Sequence, residues 1–329
     1  MVEDQSRTKG NGERDNSIGQ SKLKLHPQGQ QIKPRDGPAT VFEVDPMVSD
    51  IFTCRDGDYF GLVLVTNWPA CPLIDMDGPY QDFLGAVKSC FQKEDIVVAA
   101  SSEATSIASE SSPSQISATL PLPAVYLYPT IYLHITLATF VPPTKIIGMN
   151  NSSNNKTNDN AETGSFSSNN LREAKRAEVL NLVQSASKLP GWPTEPLQLV
   201  VDSAQIGKRA GILLWKDLSG GVEAIRNCLK EAQASTESSS TTPAPFIPDI
   251  IHSTFLRFAS TPQTPGKNVQ EAFRYKIRGR LGKDFFHAPS KSGPLVLRAN
   301  TVRLVCESTP YMHIPNDDEH VLWTGELAT

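Results

Sequence analysis

No apolar run in this chain approaches the ~20 residues needed to cross a bilayer, and its first residues lack the apolar core of a signal peptide. Membrane insertion and a secretory route are therefore not expected. Cysteine is scarce. The five present, Cys54, Cys71, Cys90, Cys228 and Cys306, are odd in number, far apart and without a CxxC pair. That excludes a disulfide framework and a cysteine zinc site, and points to reduced thiols in a cytoplasmic or nuclear protein. An excess of positive charge is missing too, since 31 Lys and Arg face 35 Asp and Glu for a net charge of −4. A polyanion would have to be held by a local basic patch rather than by the field of the whole molecule. The glycine spacing of a phosphate-binding loop is also absent: Gly207-Lys208-Arg209 reads as a solvated hairpin tip.

Apolar residues make up 39% of the chain and there are 25 prolines, which suits a globular core diluted by polar segments that cannot offset the entropy of ordering. Residues 1–39 read as a disordered tail, and 40–329 as one domain interrupted by low-complexity inserts near 100–121, 149–170 and 234–245. Between the inserts the periodicities alternate. A β-branched run at 59–65 predicts a core strand. Pro79 at a first helical position predicts a helix carrying Tyr80, Phe83, Leu84, Val87, Cys90 and Phe91. Asn170 is placed to cap a helix with Val179, Leu182, Val183 and Ala186 on one stripe, stopped by Pro190-Gly191. A hairpin follows over 197–215, then a helix opened by Ser219, a basic segment from Lys267 to Lys283 and closing strands near 295–297, 302–305 and 320–323.

The chain says one thing twice. Residues 131–140 (IYLHITLATF) and 250–258 (IIHSTFLRF) are apolar runs that each carry a histidine, a spacer and a threonine. In an extended strand residues i and i+2 share a face. His134 then stands beside Thr136, and His252 beside Thr254, while Leu133, Ile135 and Leu137 turn inward. The elements around the two runs recur in similar order, a weak internal repeat. Two imidazoles near neutral pKa can take one proton and give another in a single step. In-line cleavage of a phosphodiester needs that pair on opposite sides of phosphorus, with hydrogen-bond donors on the equatorial oxygens. No metal or cofactor is required for this chemistry, and none is expected. His26, His287, His313 and His320 lack a neighbouring partner in sequence, and the four tryptophans read as core.

Paired HxT motifs in this order of elements resemble the two-histidine (2H) phosphoesterase superfamily, which includes RNA ligase/cyclic nucleotide phosphodiesterase proteins. The resemblance implies an α+β, bilobal fold of two antiparallel β-sheets with flanking helices around a central cleft. It implies catalytic residues His134 and His252, phosphate-binding residues Thr136 and Thr254, and supporting roles for Arg257 and for Tyr311, the latter in a closing Glu307-Ser308-Thr309-Pro310-Tyr311 segment. Strict alternation would, however, turn Arg257 to the other face, and Ser253 stands where an aliphatic spacer is usual. The activity implied is metal-independent hydrolysis of a 2',3'-cyclic phosphate on RNA ends or nucleotides by a monomer. The alternatives are 2'-5' RNA ligation, hydrolysis of a cyclic ADP-ribose phosphate, or a nucleotide- or RNA-binding module without turnover.

Overall fold

Burial on both faces makes the first strand of the fold. In β1 (Tyr59–Thr66) every residue is buried, as a central strand covered on both sides requires. It lies between β4 (Ile135–Lys145) and β9 (Thr301–Glu307), and with β10 (Val321–Glu326) they form a four-stranded antiparallel sheet in the order β10-β9-β1-β4. This computed structural model describes residues 41–69, 74–97, 123–146, 169–236, 244–287 and 293–327. The tail and nearly all of the expected inserts lie outside the described residues.

Six further strands are β2 (Ile96–Val97), β3 (Val125–Leu127), β5 (Leu197–Ile206), β6 (Ala210–Asp217), β7 (His252–Phe258) and β8 (Leu297–Ala299). They form a second sheet in the order β2-β3-β7-β6-β5-β8. Only the short β2·β3 pair among these is parallel. The fold is therefore α+β with two largely antiparallel sheets, and the two motif strands, β4 and β7, belong to different sheets.

The helices cover the sheets with apolar stripes, apart from α1 (Met47–Asp50), a single turn ahead of β1. α3 (Asn169–Ala186) buries Val179, Val183 and Ala186, and α4 (Gly221–Thr236) buries Val222, Ile225, Leu229 and Ala232. Each large apolar side chain removed from water stabilises the fold by roughly 1.5–3 kcal/mol before entropy is counted. α4 starts where Asp217 Oδ2 accepts the Val222 N–H at 2.8 Å and Ser219 Oγ accepts the Gly221 N–H at 3.3 Å. On the second sheet α2 (Ile74–Lys88) and α5 (Gly266–Phe273) meet β7 through aromatics. The Phe83 ring stands edge-on to Phe255 at 4.9 Å, and Phe273 stacks on Phe255 at 6.3 Å.

Several boundaries differ from the sequence reading. Pro79 lies inside α2, which begins at Ile74, rather than at its first position. Asn170 is within α3 rather than ahead of it, and α4 continues to Thr236, into the stretch read as polar insert. Ile131 and Tyr132 belong to a 3₁₀ turn (Thr130–Tyr132), so His134 stands just ahead of β4. The basic segment is helix α5 followed by a π-helical turn (Arg274–Arg278). Cys54, Cys90, Cys228 and Cys306 are free thiols, and Cys71 lies outside the described residues.

One clasp ties the ends of the first sheet and makes a testable statement about pH. The buried His320 ring reaches Asp317 through Nδ1 at 2.6 Å and Asp56 through Nε2 at 3.2 Å, with Ser308 Oγ 2.9 Å from the same nitrogen. Burial works against the charged ring, but the two carboxylates outweigh it and raise its pKa. A raised folded-state value contributes stability that is fully present below the unfolded value of ~6.5 and is lost as pH rises through the folded one. His134, His252 and His313 act with the opposite sign, since their values are lowered. The contribution is isolated by difference: between about pH 6 and 8, the Tm advantage of the native chain over His320→Gln should shrink as pH rises. A constant difference across that window would show that the clasp carries no charge.

Candidate active site

From each motif histidine onward the two strands have the same burial. His134, Thr136 and Thr139 are partly exposed while Ile135, Leu137, Ala138 and Phe140 are buried; His252, Thr254 and Arg257 are partly exposed while Ser253, Phe255, Leu256 and Phe258 are buried. The doubled buried pair has one cause in both. β1 pairs Leu64 with Ala138 and Val65 with Thr136, which leaves Leu137 as an extra residue. β6 pairs Gly211 with Leu256 and Ile212 with Thr254, which leaves Phe255 extra. A β-bulge thus follows each motif threonine and shifts the alternation by one residue. Arg257, which strict alternation would send to the opposite face, is thereby returned to the face of His252 and Thr254. The expectation from regular strand geometry is corrected on that point.

Gly211 makes the second bulge possible. A Cβ there would lie 2.6 Å from the Phe255 ring and 3.0 Å from the Leu256 Cβ, so only a glycine lets the bulged residues close onto β6. The serine spacer also has its reason. Ser253 is buried, and its hydroxyl accepts the Trp215 indole N–H at 3.0 Å, a bond an aliphatic spacer would forfeit.

The two imidazoles, at the heads of strands in different sheets, lie within electrostatic reach of each other. The charge of His252 acts on His134, and Arg257 acts on both. Burial lowers the pKa of His134 to about 4, assisted by those charges and opposed by the Tyr132 carbonyl. Burial likewise lowers the pKa of His252, with Arg257 and Arg226 adding to the effect. His134 Nδ1–H donates to the Tyr132 carbonyl at 2.9 Å, which leaves Nε2 with a free lone pair. The Ile250 carbonyl stands to His252 as the Tyr132 carbonyl stands to His134, and opposes the lowering of its pKa.

Arg257 is held on three sides. Its Nη1 donates to Asp45 at 2.6 Å, its Nε to the Tyr128 hydroxyl at 3.2 Å, and its guanidinium lies 3.9 Å over the Tyr311 ring. Tyr311 in turn donates to Asp45 at 2.5 Å. Sequence reasoning singled out Arg257 and Tyr311 but not Asp45 or Tyr128, which carry no motif of their own.

The turn after β9, in the closing segment that carries Tyr311, supplies a third wall. Tyr311 and Met312 both have left-handed backbones, φ 59 and 62, a conformation that costs non-glycine residues about 1–3 kcal/mol each. Glu307 supports it by accepting the Met312 N–H at 2.9 Å; burial pushes the Glu307 carboxyl up to about 7, against the pull of that bond and of Arg257. The turn delivers His313, which has no neighbouring partner in sequence, into the site. Its ring lies 4.0 Å from that of Tyr132, the Tyr126 hydroxyl donates to its Nε2 at 2.5 Å, and its charge reaches His134. The link between these positions exists only in three dimensions.

Among the described residues, no group of three or more His, Cys, Asp and Glu side chains is arranged to hold a metal ion, and no helix is long and apolar enough to cross a membrane.

No protein-family model and no curated protein sequence matches the chain. Its fold is similar to several solved structures. One is a crystal structure of a phosphoesterase, at 13% identity and a TM-score of 0.35 over 82% of this chain and 99% of that one. Another is E. coli LigT complexed with 3'-AMP, at 12% identity and a TM-score of 0.37, with 82% and 99% covered. A third is TT0787 of Thermus thermophilus, at 12% identity and a TM-score of 0.32, with 81% and 97% covered.

Proposed function

We propose that this chain is a phosphodiesterase that opens 2',3'-cyclic phosphates on RNA ends or nucleotides with its two motif histidines and without a metal. The observation that carries this reading is the matched pair of imidazoles. They stand at the heads of two strands of different sheets, His134 just ahead of β4 and His252 at the first position of β7, within electrostatic reach of each other and of one fixed arginine. Such a site provides a base, an acid and a positive charge for the equatorial oxygens. His134 Nε2 takes the proton of the attacking water as its oxygen bonds to phosphorus. The leaving ribose oxygen then receives a proton from His252. Thr136, Thr254 and Arg257 hold the phosphate oxygens.

Both rings are neutral at rest, so His252 must gain its proton as the anionic substrate binds. The pH profile follows from this. With burial lowering the pKa of His134 to about 4 and that of His252 below its ordinary value, kcat/KM should be bell-shaped with its optimum on the acid side of neutrality. An optimum above pH ~7 would contradict the assignment. Hydrolysis of 2',3'-cyclic AMP, followed with and without EDTA, is the direct test of the activity. Turnover that survives chelation supports the proposal. Binding without turnover would mark a nucleotide-binding module instead, and loss of turnover in EDTA would require a metal.

A further inference from the structure

His313 stands in the site without a part in the proposed chemistry. In the resting site it is no third acid or base, because both of its ring nitrogens are engaged. Nδ1–H donates to the Tyr311 carbonyl at 3.0 Å, with the Pro310 carbonyl 3.1 Å away, and Nε2 accepts the Tyr126 O–H at 2.5 Å. A neutral imidazole suits this place, being an aromatic ring with a donor nitrogen on one edge and an acceptor nitrogen on the other. A phenyl ring there would leave the hydroxyl of the buried Tyr126 without that partner.

Three tyrosine rings pack around the imidazole, Tyr132 at 4.0 Å, Tyr126 at 5.4 Å and Tyr128 at 5.7 Å between centroids. Two of them carry the groups on which the site depends. The Tyr132 carbonyl accepts the His134 Nδ1–H at 2.9 Å, and the Tyr128 hydroxyl accepts the Arg257 Nε–H at 3.2 Å. The placement of His313 is also held against a cost. It follows two non-glycine residues in the left-handed region, Tyr311 and Met312, and strain of that kind persists only where the surroundings over-determine it, most often at functional sites. Here Glu307 holds the Met312 N–H, and Thr309 Oγ1–H donates to the His313 carbonyl at 2.5 Å.

We infer that His313 is a positioning residue: wedged among three tyrosines, it fixes the Tyr132 carbonyl that orients His134 and the Tyr128 hydroxyl that orients Arg257. One ring thereby holds the base and the cation in a common frame. The catalytic consequence rests on the proposed phosphodiesterase activity; the two placements do not.

The test compares the full-length native chain with His313→Ala, Tyr126→Phe and Val183→Ala, the last a core change in α3 that lowers stability away from the site. The 15N spectra of histidine-labelled samples at pH ~7.5, where the three site histidines are neutral, report the tautomer of His134, assigned through His134→Gln. The native ring should carry its hydrogen on Nδ1. In His313→Ala the two His134 nitrogens should move toward the averaged signals of a tautomer mixture, and affinity for inorganic phosphate should fall about tenfold. Tyr126→Phe should act in the same direction and in smaller measure, because it frees only Nε2 of His313, and Val183→Ala should change neither quantity. A folded His313→Ala with native His134 signals or native phosphate affinity would overturn the inference, as would equal changes in Val183→Ala. Should His313→Ala not fold, Tyr126→Phe decides: altered His134 signals with weaker phosphate binding support the inference, and a native spectrum or a native affinity overturns it. Turnover of 2',3'-cyclic AMP by the native sample separates the two claims, because its absence would remove the proposed activity and leave the positioning of His134 and Arg257 standing.

Discussion

Alanine at His134 or at His252 is expected to lower kcat for a 2',3'-cyclic phosphate by about 10²–10⁴-fold, the usual contribution of a positioned acid or base, in a protein that still folds. Folding should survive because neither ring carries a charge at rest or anchors a network. His134→Ala loses one neutral hydrogen bond, to the Tyr132 carbonyl, worth about 1 kcal/mol. His252→Ala loses at most the matching neutral contact with the Ile250 carbonyl. Acid and base act in one step, so the double variant should be little slower than the worse single one. Kinetics beside thermal melts of all three variants make the comparison. Native turnover in either folded single variant would sink the two-histidine mechanism.

The fold class was legible because it rests on local patterns. The β-branched run at 59–65, the hairpin around Gly207 and the stripe of Val222, Ile225, Leu229 and Ala232 each carry their own periodicity. Boundaries set by tertiary packing were not, which is why α2 runs through the positions ahead of Pro79 and the first histidine stands outside its strand. At the candidate site the HxT spacing names four residues, because i and i+2 share a face in any strand. The face of Arg257 depends on a bulge, and the bulge depends on the glycine opposite it in β6, far earlier in the chain. Asp45, Tyr126 and His313 are brought in by tertiary contacts and by a left-handed turn with no periodic signature.

Replacing Arg257 with methionine should cost both activity and stability, and Gly211 gives the means to tell the two apart. The Arg257 to Asp45 pair is mostly shielded, with side chains 22% and 13% exposed. Removing one partner of a fully buried pair costs about 3–5 kcal/mol. The residual exposure and the bonds that Asp45 keeps to the Tyr311 hydroxyl and the Met47 N–H reduce that here to about 2 kcal/mol. Turnover should fall by about 10²–10³-fold, the effect of removing a preorganised donor from developing charge. Gly211→Ala keeps every polar group but forces a Cβ against the Phe255 ring, an overpacking cost of about 1–3 kcal/mol. If the bulge is what turns Arg257 toward the histidines, Gly211→Ala also loses turnover, and the pair of substitutions loses no more turnover than Arg257→Met alone. Stability losses in that cycle should nearly add, since the overpacked ring and the ion pair are separate contacts. Turnover losses that add as well would mean that Gly211 acts on something other than the placement of Arg257, and the bulge would lose its functional role.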